Sequence, residues 1–320
     1  MRARAPAGPG SDRLRVAVVG VGYLGRFHAL IYARMPEVTL VGLVDADPQR
    51  AQAVATEAGC AVYDSLADLA PQVDAVSVVV PTTAHLQAAE PFLRRGCAVL
   101  IEKPIAATQA EGAAIVALAR DHGALLQIGH VERFNAGVMA LAQRITVPRY
   151  IEAQRMGGFT ERATDVDVVS DLMIHDIDII LSLMGSEITA ISAVGAAVLT
   201  PHVDIANARL EFANGAVANV VASRVSDKQT RRIRVFQSGG YLSLDFIGQT
   251  IDHAWLREVP GAARPEIARE RLQVDAVKPL DQELAAFVAS ARTGRPPLVD
   301  GAIGLKALEV ALEVRARIGC

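Results

Sequence analysis

The chain has 320 residues, 51% of them hydrophobic, and a formal net charge of −3 at pH 7. This length predicts two domains, and the nearly balanced charge gives no reason to expect nucleic acid or an anionic membrane as a partner. The three cysteines, Cys60, Cys97 and Cys320, are odd in number and lack metal-ligand spacing, which argues against a disulfide framework or a metal site and favours a reducing cytoplasm.

The N-terminal segment, residues 1–13, carries arginines but lacks the apolar stretch of a signal peptide. We therefore predict a disordered tail there. No apolar run is long enough to span a bilayer, so membrane insertion is not expected.

Residues 14–147 alternate between short β-branched runs and longer stretches with alanine and leucine at helical spacing. The apolar runs suit strands that are buried on both faces. Strand–helix alternation in this order predicts an α/β fold, a doubly wound parallel sheet of the Rossmann type. Three of the predicted helices end in a glycine that favours a left-handed cap: Gly59, Gly96 and Gly123.

Residues 148–320 have a different texture, with longer alternating strands that predict an α+β domain built on a mostly antiparallel sheet. Asn214-Gly215 is a strong hairpin signal, and Gly239-Gly240 marks a second hairpin. One helix is predicted at about 168–184. The tail at about 279–320 is helical and could pack back on the first domain.

The first predicted strand runs into the sequence Gly20-Val21-Gly22-Tyr23-Leu24-Gly25, and a helix follows. This is the G-x-G-x-x-G turn of dinucleotide-binding folds, in which glycines permit a tight turn and close approach of a pyrophosphate to a helix N-terminus. A glycine-rich turn without a ligand is the alternative, and the strand before and helix after disfavour it.

Asp45 ends the next predicted strand, 20 residues beyond Gly25. A carboxylate there can accept hydrogen bonds from the adenosine ribose and repel a 2′-phosphate, so NAD is favoured over NADP. Asp45 and Asp47 could instead only cap the helix that begins at Pro48. Arg50 is the feature that could weaken the preference for NAD.

Three further residues are candidates for catalysis. Lys103 follows a strand at the sheet edge where such folds bind ligands. Asp171 and His175, at i and i+4, share one face of an otherwise apolar helix, where buried ionisable groups need partners or a cavity. An ordinary surface lysine and a structural Asp–His pair are the alternatives.

Several motifs resemble the glucose-fructose oxidoreductase / inositol dehydrogenase / MocA (Gfo/Idh/MocA) family from Leu14 onward. They are the GVGYLG turn with His28 three residues beyond Gly25, PTTAH at 81–85, EKP at 102–104, GHVERFN at 129–135, and D-x-x-x-H with Asp171 and His175. The family implies a Rossmann domain, and a second domain whose open sheet supports homodimers or homotetramers. It also implies NAD and a catalytic set that by position is Lys103, Asp171 and His175.

The same resemblance implies cofactor contacts. They are expected from Gly20, Gly22, Tyr23, Leu24, Gly25, Asp45, Pro81, Thr82, His85, Glu102 and Lys103. Pro81, Thr82 and His85 are expected near the nicotinamide ribose.

The expected reaction is oxidation of a secondary hydroxyl of a sugar-type substrate by hydride transfer to NAD. His175 is suited to act as the base, with Asp171 orienting it or relaying the proton. Lys103 can stabilise the developing alkoxide. The nicotinamide supplies the difficult chemistry, and the protein positions and polarises.

Within the family, FTERATDVDVVSDLMIHDIDIIL and DIANARLEFANG resemble the branch that oxidises the 3-hydroxyl of UDP-N-acetylglucosamine, a step of lipid A 3-amino sugar synthesis. A diphosphate calls for cations, and Arg133, Arg155 and Arg162, together with His175, are the candidate substrate-binding residues. Arg232 and Arg234 instead alternate with apolar residues, as on a solvated strand face.

Other functions fit the same motifs. A dehydrogenase of a free polyol such as inositol, or an NAD-dependent glycosidase with no net redox change, would share the cofactor site. A regulator that binds NAD without catalysis is a further alternative, which Lys103, Asp171 and His175 disfavour.

Overall fold

The computed structural model describes residues 13–160, 166–260, 264–275 and 277–319. The chain divides into two compact units, one with residues up to Gly129 together with Leu280–Leu305, the other with His130–Pro279 together with residues from Lys306 onward. The dividing point therefore lies 18 residues before the expected boundary between 147 and 148. The expected tail at 1–13 falls, except for Arg13, outside the described residues.

The first unit is built on a six-stranded parallel sheet in the order β3-β2-β1-β4-β5-β6. Its strands are β1 (Leu14–Val19), β2 (Val38–Val44), β3 (Ala61–Val62), β4 (Ala75–Val78), β5 (Ala98–Glu102) and β6 (Leu126–Gly129). Its helices are α1 (Tyr23–Arg34), α2 (Pro48–Ala58), α3 (Leu66–Leu69), α4 (His85–Leu93) and α5 (Gln109–His122), and α8 (Pro279–Thr293) belongs to it from Leu280 onward. This confirms the predicted Rossmann fold class.

Local sequence signals explain where these helices begin and end. Asp47 caps α2, its carboxylate accepting from the N–H groups of residues 49 and 50, and Thr108 with Glu111 forms a capping box at α5. The predicted glycines Gly59, Gly96 and Gly123 all have positive φ angles, of 69°, 70° and 64°.

The second unit holds an eight-stranded sheet in the order β14-β13-β12-β11-β7-β10-β9-β8, antiparallel except where β7 and β10 pair in parallel. Its strands are β7 (Pro148–Met156), β8 (Ile188–Ala196), β9 (Ile205–Phe212), β10 (Val217–Ser223), β11 (Thr230–Gln237), β12 (Gly240–Asp245), β13 (Thr250–Arg257) and β14 (Glu266–Gln273). The helices are α6 (Ala136–Ala142) and α7 (Ile174–Met184), and α9 (Gly301–Ile318) belongs to it from Lys306 onward. The predicted mostly antiparallel sheet is thus confirmed.

Both predicted hairpin turns are present, with Gly215 and Gly239 at φ angles of 77° and 79°. The single helix expected at about 168–184 is instead a π-helical turn, Val169–Met173, continued by α7. A π-helical turn widens the backbone locally and is frequent at functional sites.

Tertiary packing places the segment 130–147 in the second unit. A side chain at Gly137 of α6 would come within 2.5 Å of the Leu244 side chain on β12, so helix and strand are in close contact. That contact joins residues more than 100 positions apart, which local pattern does not reveal.

Over the part of the chain that the structure describes, no helix has both the length and the apolar character needed to cross a bilayer.

Candidate functional site

The glycine turn leaves room where a dinucleotide needs it. Gly20 has a φ of 83°, and a Cβ there would lie 2.5 Å from the Val79 carbonyl oxygen. A Cβ at Gly25 would lie 1.9 Å from the Gly20 carbonyl oxygen, so only glycine lets α1 pack against the turn. No described side chain caps α1, whose N-cap is Gly22, so the first-turn N–H groups can donate to a phosphate.

Asp45 stands directly after β2 with its carboxylate beside this turn. It accepts hydrogen bonds from the Val21 N–H (2.7 Å), the Asp47 N–H (2.8 Å) and the Arg50 guanidinium (2.6 Å). Burial opposes ionisation of Asp45, but the bonds from Arg50, Asp47 and Val21 outweigh it and hold the pKa of this carboxyl below its usual value. Asp45 is therefore an anionic acceptor, and Asp47 is the separate helix cap.

A cavity of about 770 Å³ opens at this edge of the sheet. Gly20, Gly22, Asp45, Arg50 and Pro81 are among its lining residues. Tyr23 and Leu24 lie beside it in the first turn of α1 and are exposed, and Thr82 begins the 3-10 turn that follows Pro81. These residues fit the adenosine and pyrophosphate of a dinucleotide.

His85 is placed differently from the expectation. Its ring is 1% exposed, and its two nitrogens lie 3.2 Å from the Ile105 carbonyl oxygen and 3.0 Å from the Val80 carbonyl oxygen. Burial lowers its pKa, which favours the neutral ring, and a neutral ring donates to one of these two carbonyl oxygens. His85 therefore ties two loops together, and we do not assign it a cofactor contact.

Lys103 follows β5, is half-buried, and precedes Pro104 through a cis peptide bond. Its neighbour Glu102 turns inward: one carboxylate oxygen lies 3.3 Å from His28 Nε2, and the other accepts from the Lys103 N–H at 3.3 Å. Glu102 therefore contacts residues of the first unit itself, whereas the family resemblance implied a contact with the cofactor.

Asp171 lies in the π-helical turn and His175 in the first turn of α7. Asp167 fixes the start of this segment, since its carboxylate accepts from the N–H groups of Val169 and Ser170. Asp171 lines a cavity of about 440 Å³ in the second unit. A carboxylate at the cavity wall with a histidine four residues later is a set that can hold and move a proton.

Arg155 also borders this cavity, but its guanidinium is committed within the protein. It donates to Asp176 through Nε (2.9 Å) and Nη2 (3.0 Å), and to Glu132 through Nη1 (2.9 Å). Although burial opposes its charge, the two carboxylates raise the pKa of Arg155, so it stays cationic. The expectation that Arg155 binds substrate phosphate is not supported by this geometry.

The other arginines differ in whether they already contact another residue of the protein. Arg133 lies 3.3 Å from an Asp178 oxygen, and Arg224, which is buried at the cavity wall, donates to the Val166 carbonyl oxygen. Arg231 lines the same cavity, is exposed, and its side chain makes no hydrogen bond or ion pair with the residues that the structure describes. Arg162 lies outside the described residues.

Comparison with known proteins decides the family. A sequence model described as an oxidoreductase family with an NAD-binding Rossmann fold matches residues 14–130, and the Gfo/Idh/MocA C-terminal domain matches residues 127–243. A UDP-N-acetylglucosamine 3-dehydrogenase from Acidithiobacillus ferrooxidans is 38% identical over 95% of this chain and 97% of that protein. The chain belongs to the Gfo/Idh/MocA oxidoreductase family.

A solved structure of that enzyme and one further relative agree with this membership. A solved structure of the Acidithiobacillus ferrooxidans enzyme has a TM-score of 0.90, covering 96% of this chain and 97% of that one. Inositol 2-dehydrogenase from Rhizobium meliloti is 28% identical over 93% of this chain and 94% of that protein. This Gfo/Idh/MocA member is thus an NAD-binding oxidoreductase, which confirms the family and cofactor predictions.

Sequence reasoning missed two sets of partners in this oxidoreductase. Glu132 and Asp176 form ion pairs with Arg155, and the Glu102 carboxylate contacts the His28 ring. The signal for Asp176 was a run of carboxylates in an apolar helix, and Glu132 belongs to the GHVERFN motif. The signal for the second set was His28 itself, which the motifs singled out without giving it a role.

Proposed function

We propose that the protein oxidises the 3-hydroxyl of UDP-N-acetylglucosamine with NAD, giving a 3-keto nucleotide sugar and NADH. The observation that carries this proposal is the 38% identity to an enzyme of that activity over 95% of the chain. The match spans both the glycine turn and the segment with Asp171 and His175.

NAD, when bound, supplies an acceptor for the hydride that leaves the alcohol carbon. Gly20, Gly22 and Gly25 admit its pyrophosphate, and Asp45 holds its adenosine ribose. The protein's own chemistry is then removal of the hydroxyl proton and stabilisation of the oxygen that remains.

Three side chains carry that chemistry in this proposal. His175 takes the hydroxyl proton, since an imidazole titrates near neutral pH. Asp171 orients His175 or relays its proton from the cavity wall. The Lys103 ammonium stabilises the charge that develops on the alcohol oxygen.

The diphosphate is assigned to Arg231. Among the described arginines that line the cavity, Arg155 donates to two carboxylates and Arg224 to a carbonyl oxygen, whereas no described residue accepts from Arg231, whose donors can bind a ligand. A guanidinium matches two phosphate oxygens in a bidentate manner.

The first test follows absorbance at the reduced-nicotinamide band with purified enzyme, NAD and UDP-N-acetylglucosamine, beside myo-inositol and free hexoses. The keto product is trapped with hydrazine, because the oxidation equilibrium is expected to be unfavourable. NADH formation with the nucleotide sugar alone supports the proposal. NADH formation with free polyols refutes the nucleotide-sugar assignment but keeps the dehydrogenase.

A second test separates the cavity arginine from its neighbour on β11. Arg231→Met is expected to raise the KM for the nucleotide sugar by about tenfold or more, as loss of a charged hydrogen bond of about 1.5–3 kcal/mol implies. Arg232→Met is the control, because Arg232 faces Asp245 at 3.5 Å and does not line the cavity. Equal KM values for the two variants would remove Arg231 from the substrate site.

The cellular setting is also a proposal. We place the reaction in the cytoplasm, as the first step of a route in which an aminotransferase then installs the 3-amino group for lipid A. Among the described residues Cys60 and Cys97 form no disulfide, which fits a reducing compartment.

A homodimer or homotetramer is expected. Tyr150, Phe236 and Tyr241 form an aromatic row across β7, β11 and β12, with successive ring centroids 5.6 Å apart. The row lies on the sheet face opposite Ile151, Val235 and Leu242, which belong to the core. Light scattering on the purified protein tests the assembly.

A further inference from the structure

A strip of polar side chains is buried inside the first unit, beneath α1 and α8. The strand register aligns Ser77, Leu100 and Gln127 in one row, and Leu100 packs in the core cluster with residues of α1 and α8. Six polar residues of this region are at most 9% exposed: His28, Tyr32, Ser77, Glu102, Gln127 and Glu283. Burying polar groups is costly unless they are paired. Three contacts pair these residues, although His28 Nε2 and Gln127 Oε1 make no hydrogen bond with the described residues.

Two of the pairs join helix to strand in an ordinary structural way. The Tyr32 hydroxyl lies 2.7 Å from the Ser77 hydroxyl, and the Gln127 amide donates to the Glu283 carbonyl oxygen at 3.4 Å. Neither pair includes a neighbour of Lys103. Variants of these pairs therefore serve as controls, since they show how losing a purely structural polar contact in this core changes stability and rate.

The third pair differs because it ends beside Lys103. Glu102 lies 3.3 Å from His28 Nε2 through one oxygen and accepts from the Lys103 N–H through the other. Its third neighbour is Gly129, which pairs with it across β5 and β6. A Cβ at Gly129 would lie 2.9 Å from the carboxylate, so the glycine leaves the space that the carboxylate occupies.

His28 is itself fixed. It is fully buried in the second turn of α1, and its ring meets Tyr32 edge-on at a centroid distance of 6.5 Å. The helix that carries it begins at the glycine turn. His28 and Glu102 therefore connect the element that receives the pyrophosphate to the backbone that carries Lys103.

We propose that His28 and Glu102 are positioning residues for Lys103. The buried His28 ring packs against the Glu102 carboxylate and limits its movement, and the carboxylate accepts a hydrogen bond from the Lys103 N–H. The lysine is thereby held at a set distance from the glycine turn. This inference rests on the proposed role of Lys103 in the reaction.

The experiment compares Glu102→Gln, His28→Leu and His28→Gln, with Ser77→Ala as the matched control. A misplacement of the order of 1 Å can cost about 10²-fold in rate, so we expect kcat to fall at least about tenfold in Glu102→Gln and His28→Leu. The Kd for NAD should stay within about twofold. His28→Gln, which keeps a polar group against the Glu102 carboxylate, should recover most of the loss. Ser77→Ala should lower the melting temperature and leave kcat unchanged.

A second readout needs neither NAD nor substrate. The rate at which an amine-reactive acylating reagent labels Lys103, followed by peptide mass spectrometry, should change about threefold or more in Glu102→Gln and His28→Leu and not in Ser77→Ala. Because it is measured on the free protein, it tests the positioning even if no tested sugar is oxidised, whereas silence in the turnover assay refutes only the proposed function.

The combined variant completes the test. If the two residues act in series, Glu102→Gln with His28→Leu should be no slower than the slower single variant. Three results would each overturn the proposal. They are kcat losses that multiply in the double variant, a wild-type rate of Lys103 labelling in Glu102→Gln, and an equal loss of kcat in Ser77→Ala. If His28→Leu does not fold, Glu102→Gln, which keeps the volume of the side chain, decides it.

Discussion

Replacing Arg155 by methionine should destabilise the protein far more than it weakens substrate binding. Arg155 is 4% exposed, and its three hydrogen bonds neutralise Asp176, which is 3% exposed, and Glu132. Removing one partner of a buried ion pair leaves the other charge in a poorly solvated site, at a cost of about 3–5 kcal/mol. This is a large part of a total stability of about 5–15 kcal/mol.

The assay is thermal unfolding of the purified variants, followed by circular dichroism at pH 7. For a domain of this size about 1 kcal/mol shifts the melting temperature by roughly 2–4 °C, so Arg155→Met should melt roughly 10 °C lower than the wild type. Arg231→Met is the control, because this exposed side chain makes no hydrogen bond or ion pair with the described residues and its loss should change stability by less than about 0.5 kcal/mol.

The two variants should therefore show opposite patterns. Arg155→Met should melt early and keep its KM for the nucleotide sugar in the folded fraction, while Arg231→Met should melt normally with a raised KM. Adding Asp176→Asn to Arg155→Met removes the stranded charge and should restore part of the lost stability. If Arg155→Met melts like the wild type and its KM rises tenfold or more, the ion-pair argument is wrong and Arg155 is a substrate ligand.

The remaining predictions concern His175, Asp45 and Asp204. His175→Ala should lower kcat by about 10²–10⁴-fold while calorimetry shows unchanged NAD binding, and wild-type activity would exclude His175 as the base. Asp45→Ala should raise the Kd for NAD by about tenfold or more without a comparable change in melting temperature, since charged hydrogen bonds contribute about 1.5–3 kcal/mol; an unchanged Kd would leave Asp45 as a turn residue only. Burial opposes the charge of Asp204, but backbone N–H groups of residues 198–200 outweigh it and hold its pKa at about 2. Because this folded-state pKa is depressed, the carboxylate contributes about 2 kcal/mol above pH 4, which is lost as pH falls toward 2. Urea unfolding of Asp204→Asn should thus differ from the wild type at pH 7 and converge with it near pH 2, and a constant difference would contradict the assignment.

The sequence predicted most of the first unit because its signals are local. Buried strands alternate with helices whose caps lie next to them in the chain, as Asp47 and Gly59 do at the two ends of α2. The edge strand β3 escaped notice because it has two residues, too few to show a periodicity. The two compact units divide before the predicted boundary because the packing of α6 on β12 joins segments that are far apart in sequence.

Long-range pairing also explains what was missed in the site. Arg155 has a guanidinium of the kind that binds phosphate. Only the positions of Glu132 and Asp176 show that its N–H donors are already bonded within the protein. His28 stood out as part of a motif, but its partner is 74 positions away on another strand. A cationic side chain predicts a binding role only after its neighbours are known.

In the cavity of the second unit, too, the neighbours of each arginine decide whether it can bind a ligand. A diphosphate needs donors that are not already satisfied, because a guanidinium that leaves a buried carboxylate to bind a ligand would lose as much as it gains. Among the described lining residues, the buried arginines Arg155 and Arg224 shape the wall, and the exposed Arg231 is the cation that can change partners. In the proposed reaction Asp171 and His175 act on the alcohol, which both substrates share. Discrimination between a nucleotide sugar and a free polyol should therefore reside at Arg231.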